Sequence, residues 1–182
     1  MVKEITLEWM KKVSACSEAC EALELSGLSD PFEVLDRAIE IDRFDWANWM
    51  IVRLMNKKQR VQYAIFSAEL VIGIFEKSFP EDDRPRKAIE AAKNYLKRPS
   101  EETKKAAESA ESVAVAAAAA AAAVAASVAS VAAYSAVAAS VAASVAAYSA
   151  ASYSAASIAY AADADPTLKD QIIEYGKSLL IG

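Results

Sequence analysis

Histidine does not occur in this chain of 182 residues, and cysteine occurs only twice. Without histidine, the usual proton shuttle near neutral pH and the commonest metal ligand are both missing. Catalysis would have to rest on carboxylates, and neither a metal nor a cofactor is expected. Two cysteines are too few for the multi-bridge framework of a small secreted domain. The opening residues also lack the basic start and apolar core of a signal peptide. These features point to the reducing cytoplasm.

Glycine and proline are sparse, at 4 and 5 residues, and neither occurs between Ser100 and Asp165. Charge is absent from one stretch as well. Ser112 to Ala162 holds no Asp, Glu, Lys or Arg, whereas 18 of the 20 basic residues precede Ser109. The net charge of −5 weighs against nucleic acid or an anionic membrane as the partner and leaves a basic protein open.

What remains is helical grammar, and the fold class it predicts is all-α, with about five N-terminal helices in a bundle over residues 1–99. Over Thr6 to Ser26, the residues Trp9, Val13, Cys16, Cys20 and Leu23 step by four and three. That spacing predicts one amphipathic helix ended by Gly27, with both cysteines in its buried seam. Asp30-Pro31-Phe32-Glu33 is a start signal: a capping aspartate, proline at the first helical position, and a glutamate two residues further on. The next helix carries Trp46, Trp49, Met50 and Leu54 on one face, an aromatic stripe suited to a core or, less commonly, to binding anchors. After the polar joint Asn56-Lys57-Lys58, the residues Val61, Ile65, Ala68, Ile72 and Phe75 mark the central helix. Glu69 is the lone charge within Ala64 to Phe75. Burial would require a counter-ion, with Arg53, Arg84 and Arg86 as candidates. Phe79-Pro80 closes that helix, Asp82-Asp83-Arg84-Pro85 opens the next, and Ser100-Glu101-Glu102 repeats the start pattern.

Residues 100–165 form an alanine/serine region with high helix propensity. A single rod of that length would extend about 90 Å, so corners are expected near Tyr134-Ser135 and Ser152-Tyr153-Ser154. Ser130-Val131-Ala132-Ala133-Tyr134-Ser135-Ala136 recurs fourteen residues later, beginning at Ser144. This two-heptad period suits helices layered on one another as a hairpin or bundle. A membrane hairpin is disfavoured because leucine and phenylalanine are absent from the run. A last helix over 166–182 carries the stripe Leu168, Ile172, Tyr175 and Leu179, which should dock on the body. Gly176 lies within it and hints at a close approach.

The stretch from Ala68 to Ala92, centred on Asp83-Arg84-Pro85-Arg86 and followed by Ala88-Ile89-Glu90-Ala91, resembles the immunity protein family of bacterial polymorphic toxin systems. The resemblance implies a helical protein, not an enzyme, that binds and neutralises a cognate toxin. If that partner is cationic, Glu33, Asp36, Glu40, Asp42 and Asp45 would steer its approach. Glu69, Asp83, Arg84, Arg86, Trp46, Trp49 and Arg53 are the residues that would serve either structure or the partner. Two alternatives stand beside this reading. The uncharged helices could drive self-association, or Glu69 and Asp83 could act as an acid/base pair with Arg84 and Arg86 holding an anionic substrate.

Overall fold

The computed structural model of the protein describes residues 4–109 and 167–182. It is all-α, and the described residues include no strand. The expected corners, the fourteen-residue repeat and the layered packing of the alanine/serine region fall on 110–166 and lie outside the described residues.

The helix expected over residues 6–26 is two helices, α1 (Leu7–Lys12) and α2 (Ser17–Ser26). The break is a Schellman turn. Ala15 N donates to Met10 O at 2.9 Å and Ser14 N to Lys11 O at 3.1 Å, with Ser14 in the left-handed region at φ 60°. Glycine usually holds that place, so serine there hides the stop. The seam is cut just before Cys16, which is exposed at the start of α2 rather than buried in the core. Cys20 is half-buried against the core. Gly27 does end α2, at φ 66°.

Helix α3 (Pro31–Glu40) begins as its start signal predicts: Asp30 Oδ1 accepts from the backbone N–H groups of Phe32 and Glu33 at 2.9 and 3.1 Å. It ends in a second Schellman turn. Arg43 N donates to Ala38 O at 2.8 Å and Asp42 N to Ile39 O at 2.9 Å, with Asp42 at φ 55°. Helix α4 (Phe44–Leu54) follows directly and packs on α3.

Asn56 is more than a polar joint. It accepts from Gln59 N at 3.0 Å, and Gln59 Oε1 accepts from Asn56 N at 2.8 Å. This reciprocal cap satisfies two otherwise orphaned donors and launches α5 (Lys57–Ser78). Helix α5 is the central element. Val61, Ile65, Ala68, Ile72 and Phe75 are all buried along it.

Helix α6 (Arg84–Lys97) returns antiparallel to α5, since Arg86 meets Glu76 while Lys93 meets Glu69. A further helix, α7, covers 101–109. It is opened by Ser100 Oγ accepting from Thr103 N at 3.1 Å while Thr103 Oγ1 accepts from Ser100 N at 3.0 Å.

Helix α8 (Leu168–Ile181) lies against α4 and α5. Tyr175 stacks on Phe66 with ring centroids 3.9 Å apart, and Gln59 Nε2 donates to Leu179 O, so α8 runs antiparallel to α5. Its buried line is Leu168, Ile172, Ile173, Gly176 and Leu180. Gly176 marks the closest approach: a Cβ built there would sit 2.7 Å from Ile51 Cδ1 and 2.9 Å from Tyr63 Cε2.

Candidate functional site

The residues singled out from the sequence divide between two regions. In the first, between α5 and α6, the structure overturns the expected pairing of Glu69. Its carboxylate is solvent-accessible and bonds Lys93 at 2.6 Å, not an arginine. A lysine one helix away suffices because the group is not buried. Lys93 also reaches Glu90 at 3.1 Å, and hydrogen bonding to Glu69, then Glu90, raises its pKa.

Both arginines of the Asp83-Arg84-Pro85-Arg86 segment are committed to other carboxylates. Arg84 grips Asp82 with Nε and Nη2 at 2.8 and 2.6 Å, and Arg86 grips Glu76 in the same two-pronged way at 2.7 and 2.8 Å. These bonds hold the Asp82 and Glu76 carboxyls below their ordinary range. Asp83 pairs with Lys87 one turn on, at 2.9 Å. Ten residues of α6 separate Asp83 from Lys93, about 15 Å along the axis, so Glu69 and Asp83 do not form an acid/base pair. The geometry of this region is that of a clamp. Forked guanidinium–carboxylate bonds fix the α5–α6 corner at its mouth, and Lys93 ties the two helices midway.

The second region is a groove of about 450 Å³ bounded by the end of α1 and by α2, α3 and α4. Its wall is mostly apolar, with Met10, Ala19 and Leu23 on one side, Val34, Ala38 and Ile41 on another, and Trp46, Trp49 and Met50 on the third, and its charged lining residues are Arg37, Arg43 and Asp45. Trp46 and Trp49 are both half-buried. The Arg43 guanidinium lies 3.5 Å over the Trp46 ring and that of Arg53 lies 3.8 Å over Trp49, where the ring quadrupole attracts a cation. Arg53 additionally donates to Trp49 O at 3.1 Å, so it serves this stack and not Glu69.

Arg43 also bridges the groove's sides, bonding Asp45 of α4 at 2.8 Å and Glu18 of α2 at 3.5 Å. The hydrogen bond from Arg43 lowers the Asp45 pKa. On the floor Asn48 is buried, and Tyr63 OH donates to its Oδ1 at 3.2 Å. Desolvation pushes the Tyr63 phenol well above its ordinary pKa, so it stays a neutral donor. Ser14 and Asp42, the two non-glycine residues held at positive φ among the described residues, border this groove, Ser14 in its lining and Asp42 between lining residues Ile41 and Arg43.

Sequence reasoning named Trp46, Trp49 and Arg53 but not the groove, because its wall depends on the α1–α2 break. The legible signal was charge crowding. Residues 17–45 hold nine carboxylates and two arginines, and all nine carboxylate residues are exposed. Among the described residues, no three or more Cys, Asp or Glu are grouped so as to hold a metal ion, and no helix is long and apolar enough to cross a membrane.

A family model described as "Imm-5 like putative immunity protein" matches residues 50–177. The match spans well over half of the chain, and the chain belongs to that family. No curated protein and no solved structure matches it.

Proposed function

We propose that this member of the Imm-5 like family is a toxin-neutralising protein that acts by binding its partner rather than by catalysis. Family membership over residues 50–177 carries this reading. The chemistry of the conspicuous charged residues supports it. Glu69, Asp83, Arg84 and Arg86 each satisfy a neighbour in an ion pair, an arrangement that fixes helix register. Glu69 shares the Lys93 ammonium with Glu90, and Asp83 is held by Lys87, so each carboxylate faces a cation. The compartment that fits this role is the cytoplasm, where a toxin made by the same cell would first threaten it.

The test is co-expression, one at a time, with toxin domains of the polymorphic class. Growth should be restored, and the two chains should co-elute as a stable complex. A toxin that kills equally fast with and without the protein would overturn the reading. So would rescue by a protein that never forms a complex with the toxin, because neutralisation would then be chemical.

A further inference from the structure

The structure assigns the groove between α2, α3 and α4 as a binding site for a small apolar carboxylate, its hydrocarbon body against the tryptophan wall and its carboxylate group at Arg37. The neutralising role does not require such a ligand, and the two readings stand or fall separately. The family match begins at residue 50, where the groove lining ends, so it does not assign this surface.

Size and wall chemistry set the body of the ligand. The space of about 450 Å³ lies within the roughly 300–1,000 Å³ of pockets that enclose small molecules, which join apolar walls to a few polar groups that fix orientation. Two half-buried tryptophans stand in the wall. The uncharged polar groups are partly committed to the protein itself: Asn48 Oδ1 accepts from Tyr63 OH, and Ser26 Oγ donates to Leu23 O. Orientation therefore falls to the charged residues.

Their distribution selects the head group. Residues 17–45 hold nine carboxylates and two arginines; both arginines line the groove, whereas Asp45 is the one carboxylate of the nine that does. The fold has sorted cations toward the groove out of a segment rich in acid, and the other eight carboxylates are exposed, where salt screens them. Asp45 is already neutralised, since Arg43 holds both of its oxygens, Nε at 2.9 Å and Nη2 at 2.8 Å. Arg37 is left. Among the described residues its guanidinium makes one bond, from Nη1 to Glu40 at 3.0 Å. With side chains 54% and 65% exposed, that pair is of the kind that contributes least. Nε and Nη2 remain for a ligand carboxylate, which a guanidinium takes in two parallel bonds. A cationic head group would meet two arginines instead.

The probes are decanoate, decanol and decylammonium, which share one tail, each titrated below its micellar range against the full chain while following tryptophan emission. Decanoate should bind at least tenfold more tightly than decanol, and decylammonium should not bind. Arg37→Gln should weaken decanoate at least fivefold and leave decanol within twofold, which separates the head-group contact from a general loss of fold. Lys58→Gln, which removes an exposed cation of α5 outside the groove, should change neither by twofold. Cys16 reports the place, because it is exposed and lines the groove. Saturating decanoate should slow its alkylation by iodoacetamide at least fivefold, read separately from Cys20 by tandem mass spectrometry.

No binding of decanoate, equal binding of decanoate and decanol, or binding of decylammonium as tight as decanoate would each overturn the proposal. So would loss of decanol along with decanoate in Arg37→Gln, equal loss of decanoate in Arg37→Gln and Lys58→Gln, or an unchanged rate at Cys16. A dimer in light scattering that shields Cys16 without any probe would make a second copy the occupant. An amphipathic leucine–glutamate peptide that binds where decanoate does not would make it a partner segment. Either result refutes the small-ligand site.

Discussion

Two glycines in helices make opposite predictions for the same substitution. Alanine is favoured over glycine in a helix interior by about 1 kcal/mol, and at Gly73 in α5 nothing opposes the gain: a Cβ there meets no atom within 4 Å. Gly73→Ala should therefore stabilise the protein by about 1 kcal/mol. At Gly176 the added carbon would fall 2.7 Å from Ile51 Cδ1, 2.9 Å from Tyr63 Cε2 and 3.3 Å from Ile51 Cγ2, inside the roughly 3.5–4.0 Å at which carbons rest. Ile51 and Tyr63 have no exposed surface into which to retreat, and the Tyr63 ring is further held by its hydrogen bond to Asn48. Overpacking of this kind costs about 1–3 kcal/mol. Set against the propensity gain, Gly176→Ala should destabilise by about 1 kcal/mol, which places the two variants about 2 kcal/mol apart. Urea unfolding followed by far-UV circular dichroism reads this directly. With a slope of about 2 kcal/mol/M, the midpoints should lie about 1 M apart, on either side of the parent. Equal stabilisation by both substitutions would mean that α8 is not seated on Ile51 and Tyr63, and the packing described for α4, α5 and α8 would be refuted.

Acid should unfold the protein in a defined direction. The carboxyls of Glu76, Asp82 and Asp45 are each lowered by a bonded arginine, so their stabilisation is complete above the ordinary carboxylate values and drains away as pH falls through the lowered ones. Lys93 is raised, as is Lys177, where bonds to Asp36 and Glu174 outweigh burial. Their contribution is complete below the ordinary lysine value and is lost as pH rises through the raised one. With no histidine, melting temperature should be flat from about pH 5.5 to 7.5 and fall below about pH 4.5; a step near pH 6.5 would contradict this. A double-mutant cycle on Arg86 and Glu76 should give a coupling of about 0.5–1 kcal/mol, because the pair is forked but part-exposed; zero coupling would remove the clamp. Ser14→Gly should stabilise by about 0.5–1 kcal/mol by relieving the left-handed conformation, whereas destabilisation in urea would show that serine is needed at that turn.

The elements legible in the sequence were those whose signals are local. Asp30-Pro31 and Ser100 announce helix starts through side chains that cap their own backbone, and the apolar line of α5 reports burial on several sides. The α1–α2 break was not legible, because a Schellman turn is normally betrayed by glycine and here the left-handed residue is Ser14. Periodicity ran straight through it and carried Cys16 into a core it does not join. The partner of Glu69 was missed for a different reason. A lone charge in an apolar run suggests burial, but α5 has an open side beside α6, and Lys93 reaches it there. Three-dimensional neighbours of a half-exposed carboxylate leave little trace in its own segment. The groove required both kinds of knowledge, the break that turns α2 and the packing that sets it across from α4.

Helix α4 joins the α5–α8 packing to the groove. Its Trp46, Trp49 and Met50 line the groove, while Ile51 faces Gly176 of α8 and Asn48 bonds Tyr63 of α5 from the groove floor. A change on the α8 side, such as Gly176→Ala, moves Ile51 and hence the helix that carries both groove tryptophans, so it should alter stability and tryptophan emission together. A change on the outer face of α2 touches no buried atom. Glu21→Lys, at an exposed position away from the groove, should leave stability within about 0.5 kcal/mol of the parent and tryptophan emission unchanged. If Glu21→Lys instead loses stability and shifts the emission, the exposed carboxylates of α2 are holding the N-terminal helices in place.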